Sequence, residues 1–142
     1  MLEIAFSDAV FERKTLRDRY DLLLGVVATL TVAVGSRSVY AEPLFPIVEL
    51  RVALERWLLS ARVDETDFMF ESMESDEAGL VWIRRQPSGI WIVGSQHQFG
   101  PAADGLDFDD VEVGCGIFIE AVDQWVRSHL HREVREVFSA ST

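Results

Sequence analysis

The sequence predicts an α+β protein in which a mainly antiparallel sheet carries two helices packed on one face. Apolar residues alternate along 2–6, 22–34, 68–70 and 80–93, which is the period of strands. Along 47–60 and 110–137 they recur at three and four residue steps, the period of amphipathic helices. The resulting order of strands, helix, strands, helix favours antiparallel pairing with the helices on one side. At 142 residues the chain suits a single domain, 1–142, able to bury roughly 70% of the surface its unfolded form exposes.

The elements follow in chain order. Leu2, Ile4 and Phe6 alternate with Glu3, Ala5 and Ser7, giving a half-buried first strand. Residues 8–20 mix charges with few apolar positions and predict a connection containing one helical turn. In residues 22–34 the even positions are mostly apolar, so a long strand is expected there, bulged at Gly25. Gly35 and Ser36 turn it into a second strand, "RSVYAE". Proline is tolerated in a first helical turn, so Pro46 or Ile47 opens a helix that carries Leu50, Leu54, Trp57 and Leu58 to about Ser60. Phe68 and Phe70 mark a strand with acidic ends.

Residues 80–96, "LVWIRRQPSGIWIVGSQ", are two apolar runs about a Pro-Ser-Gly turn. Both alternating faces are apolar, so this hairpin belongs inside a sheet and away from its edge. Trp91 falls opposite Arg84 or Arg85, where a guanidinium could cover its indole. Asp109 followed by Glu112 matches a capping box, so the last helix is expected from about Asp110 to Val137. A competing reading makes 111–119 a strand, because Gly114 and Gly116 weaken a helix by about 1 kcal/mol each. The expected core sets Leu54, Trp57, Phe118, Val122 and Trp125 against Trp82, Ile83, Ile92 and Val93. Residues 138–142 are expected to be disordered.

Charge is distributed unevenly. Of the net −11, residues 61–112 hold −9, from twelve acidic and three basic groups. Such a chain is poorly suited to nucleic acid, whose phosphates need clustered Lys and Arg. The longest apolar stretch, 22–34, is thirteen residues, short of the ~20 that a spanning helix needs, so no membrane contact is expected. The opening "MLEIAFSD" lacks the features of a signal peptide and Cys115 is the only cysteine, which points to a cytoplasmic protein. Only Lys14 among the thirteen basic residues is a lysine, the bias of a high-GC bacterial genome.

No motif names a reaction. His97 has no nucleophile or orienting carboxylate nearby in sequence, and an acid-base enzyme using it with Asp107 or Asp109 is the minor alternative. His129 and His131 lie about 200° apart around a helix and cannot chelate one metal together. The run Asp104, Asp107, Asp109, Asp110, Glu112 departs from a calcium loop, because Gly105 follows the first aspartate directly. Cys115 has no partner histidine or second cysteine and reads as a small buried apolar residue. Catalytic residues, metal sites and cofactors are therefore not expected.

Two acidic segments remain. Asp64, Glu65, Asp67, Glu74, Asp76 and Glu77 precede the central hairpin, and Asp104, Asp107 and Asp109 follow it. If their loops emerge at neighbouring strand ends they form one negative face, suited to a basic protein partner. The succession "FPIVELRVALERWL", "DFMFES", "GLVWIRR" and "IWIVGS", within residues 45–95, resembles small uncharacterised actinobacterial domains, some of them immunity proteins. The resemblance implies a non-catalytic module that binds and caps a basic toxin domain. The rival expectation is a structural or self-associating domain, such as a homodimer.

Overall fold

The computed structural model describes residues 1–73, 78–96 and 103–139. Its α+β architecture contains two antiparallel sheets rather than the one expected. The first, in the order β1-β2-β3, comprises β1 (Leu2–Phe11), β2 (Val26–Val34) and β3 (Arg37–Pro46). The second, β4-β5-β6-β7, comprises β4 (Phe68–Glu71), β5 (Ala78–Arg85), β6 (Trp91–Gly94) and β7 (Ala103–Leu106). Among the described residues helices α1 (Arg19–Gly25), α2 (Ile47–Asp64), α3 (Phe108–Leu130) and α4 (Val134–Ser139) make four where two were expected. Among the described residues no helix is long and apolar enough to cross a membrane.

The N-terminal third departs most from expectation. β1 continues past Ser7 through a bulge at Asp8, which adopts φ 55°, and Val10 and Phe11 then pair with Val27 and Val26. Residues 22–25 are helical, not strand. Asp18 decides this: its carboxylate accepts hydrogen bonds from the amides of Tyr20 and Asp21, both at 3.0 Å, and so starts α1. Gly25 ends this helix, with Phe11 and the stem of Arg13 packed against its Cα. β3 runs on through Pro43, which is tolerated because the strand lies at the sheet edge.

The central hairpin lies inside its sheet as expected, and Arg85 pairs opposite Trp91. The guanidinium contact is different. Arg84 lies over Trp82 at 4.1 Å, two residues away on the same strand face, whereas Trp91 turns into the core and is 3% exposed. α2 extends four residues beyond the expected end and stops at Glu65, which takes the left-handed conformation.

The α3 helix begins two residues earlier than expected, and its cap is Asp107 rather than Asp109. Asp107 and Asp110 form a reciprocal capping box, the Asp110 amide donating to Asp107 at 2.8 Å. The strand alternative for 111–119 fails because a helical stripe of Val111, Cys115, Phe118, Val122 and Val126 is fully buried. The chain breaks at His131, φ 55°, so Val134 and Phe138 fold back into the core as α4. Residues 138 and 139, expected to be disordered, close that helix.

One apolar core joins both sheets and the helices. Leu54, Phe118, Val122, Ile83 and Val93 are buried in it, while Trp57 and Trp125 are half-buried against it. α3 packs mainly on β1 of the first sheet and reaches the hairpin through Phe108, whose ring centroid is 5.3 Å from that of Trp91. The Gly35 amide donates to Met1 O, so in this antiparallel register the Leu2 carbonyl points to the open side of β1. Gly114 of α3 is pressed against that carbonyl, and Phe118 meets Phe6 edge-on at 6.2 Å. The helix thereby covers part of the edge of β1.

Candidate functional site

Antiparallel order brings the start of β4, the end of β5, the start of β6 and the end of β7 to one end of the second sheet. The last turn of α2 and the first turn of α3 meet there. Beneath them lies an aromatic floor. Trp57 approaches Phe68, Trp91 and Phe108 with ring centroids 5.5, 5.8 and 6.0 Å away, and its indole N–H donates to the Thr66 carbonyl at 2.9 Å.

Arginines hold the acidic segments onto this floor. The Arg62 guanidinium lies over the Phe108 ring at 4.8 Å and reaches Asp109 at 2.7 Å and Glu112 at 3.0 Å. It ties the C-terminal end of α2 to the N-terminal end of α3. Arg85 approaches Glu65 at 3.6 Å, and its amide donates to Asp67 at 3.0 Å. Asp64, Glu65, Asp67, Asp107 and Asp109, from two separate segments, therefore share one end of the molecule. Asp110 and Glu112 join them.

The acids are not equivalent. The Asp107 carboxylate serves the helix cap, Asp109 is paired with Arg62 and Glu65 with Arg85, and all three are exposed, as is Asp64. Asp104 lies in β7, and Glu74, Asp76 and Glu77 lie outside the described residues. Arg62 was invisible to sequence reasoning because its partners come 47 and 50 residues later.

The family model for a domain of unknown function, DUF7878, matches residues 2–128. The chain belongs to this family. No curated protein and no solved structure compared with the chain matches it. The DUF7878 span contains the whole acidic end, from Trp57 through Glu112, and stops before α4.

Elsewhere in the DUF7878 span the candidate catalytic groups are dispersed or engaged. His97 lies outside the described residues, and both carboxylates considered for it already have partners. Cys115 is buried, and desolvation pushes its thiol up to about 12, which removes the thiolate that nucleophilic chemistry requires. Beyond residue 128, the His129 ring stacks on Trp125 at 4.3 Å and lies near the Trp125 carbonyl at 3.0 Å. Among the described residues no three His, Cys, Asp or Glu side chains gather as a metal site.

Proposed function

We propose that this chain is a non-catalytic protein-binding module that presents its acidic end to a basic protein partner. One observation carries the reading: acidic segments from either side of the central hairpin converge on the same sheet end, over an aromatic floor in which Trp57 and Phe108 are half-buried and Phe68 and Trp91 buried. Carboxylates at the rim would steer a cationic surface, and the aromatic and arginine groups beneath them are of the kind that anchor interfaces. The sequence resemblance to immunity-type domains makes a basic toxin domain the specific partner in this proposal.

The test begins with a pull-down from the native cells, followed by stopped-flow association with the captured protein. The substitutions Asp64→Asn, Glu65→Gln, Asp109→Asn and Glu112→Gln should slow association by roughly ten-fold or more at low salt, with Asp107 kept because it caps α3. The same rate should fall as salt rises, since surface charge is screened over about 8 Å at physiological ionic strength. An on-rate indifferent to both changes would leave the acidic end as a solubility device, and a structural or homodimeric role would replace this one.

A further inference from the structure

The opposite charge gathers elsewhere, in a groove beside α4. A hollow of about 240 Å³ is lined by Arg17, Arg19 and Arg132 over Leu16, Leu22 and Val137. A second, about 250 Å³, shares Arg19 with the first and adds Arg56 over Tyr20, Leu23 and Phe138. A third, about 170 Å³, shares Arg56 and Phe138 with the second and adds Arg135 and Leu59. Neighbouring hollows thus share wall residues, and each sets exposed arginines beside apolar side chains.

In a chain of net charge −11 five exposed arginines gather here, of which Arg17 lies 3.6 Å from Asp21 and Arg135 lies 3.4 Å from Glu55. The carboxylates lining the hollows, Asp18 and Glu55, are already engaged. Asp18 accepts two amides of α1, and Glu55 is held by Arg51 at 3.1 Å and Arg135 at 3.4 Å. Among the described residues Arg19 and Arg132 make no ion pair; they donate only to the Tyr20 hydroxyl and the His131 carbonyl, each at 3.3 Å. Arg132 and all of α4 lie beyond the family-matched span, so the groove is partly built from residues outside it.

We propose that this groove binds an acidic peptide segment of a partner protein, its carboxylates meeting the arginines and its apolar side chains filling the hollows between them. Each hollow is smaller than the roughly 300–1,000 Å³ typical of small-molecule sites, but in series they fit successive side chains. A phosphate backbone would use the arginines and leave the apolar floor unused. The groove is separate from the acidic end and its occupant carries the opposite charge, so either reading can fail alone.

The experiment is fluorescence anisotropy with a labelled synthetic peptide of alternating glutamate and leucine pairs. It should bind the full chain, and Arg19→Glu with Arg132→Glu should weaken binding by about ten-fold or more, as reversal of close charge pairs does. Arg19→Gln with Arg132→Gln provides a milder variant, and circular dichroism melting checks that both are folded. The acid-to-amide variants of the other end should leave the affinity unchanged. No binding at millimolar peptide, or binding indifferent to the arginine variants, overturns the proposal. So does equal competition by inorganic phosphate, which would indicate a small-anion pocket, or tighter binding of single-stranded DNA.

Discussion

Gly114 and Gly116 look equivalent in the sequence, both weakening a helix, and the structure separates them. A Cβ on Gly114 would stand 2.7 Å from the Leu2 carbonyl oxygen, a backbone atom that cannot swing aside, whereas one on Gly116 would meet nothing within 4 Å. Alanine gains about 1 kcal/mol over glycine in a free helix, while overpacking a tight contact costs roughly 1–3 kcal/mol. Gly116→Ala should therefore raise stability by about 0.5–1 kcal/mol and Gly114→Ala should lower it. Urea denaturation of the two variants decides the matter, and equal stabilisation by both would sink the close packing of α3 on β1. The glycines were legible as helix-weakening residues; the carbonyl that requires one of them was not.

At the scale of elements, α2 and α3 are clasped by a buried ion pair. Arg51, 1% exposed, grips Asp123 with two hydrogen bonds of 2.7 and 2.9 Å and also reaches Glu55. Both residues fell on predicted helices, yet neither stood out, because a charge on a helix is usually solvated. Removing one member leaves the other buried and unpaired. Asp123→Ala should cost about 3–5 kcal/mol, whereas Arg51→Met with Asp123→Leu should cost much less, since buried pairs are often replaceable by apolar residues of similar volume. A single variant within about 1 kcal/mol of the parent in chemical denaturation would contradict the clasp.

Across the whole molecule, two carboxylates link the short helices to acid stability. The Arg17 amide holds the Asp21 carboxyl below its usual range, and the Arg127 guanidinium does the same for Glu133, just before α4. A lowered folded pKa means that the unfolded chain binds more protons at acid pH, so these contributions are complete above the unfolded values near 4 and vanish as pH falls through the folded ones. The melting temperature should hold down to about pH 5 and then drop, and Asp21→Asn and Glu133→Gln should each make the drop shallower. Parallel curves for variant and parent across pH 2–6 would show that neither link contributes.

Sequence by itself determined what is local. Alternation gave the strand of Phe68 and Phe70, the three and four residue repeat gave α2 from Pro46 or Ile47, and the turn chemistry of Pro87 to Gly89 set Trp91 opposite Arg84 or Arg85, of which the structure selects Arg85. These depend on hydrogen bonds and side-chain directions within a few residues, which the sequence states directly. Even there one cap could overrule a pattern: Asp18 turned the apolar Leu22–Leu24 from strand into helix. Only the tertiary structure decided the split into two sheets, the fold-back of α4 at His131, and the separation of charge into an acidic end and a basic groove. The arginines of that groove come from residues 17–19, 56 and 132–135, each of which carries a net charge of only +1. Their meeting is fixed by long-range packing of Leu22, Val52 and Phe138 into the core, and no local pattern encodes which distant surfaces that burial brings side by side.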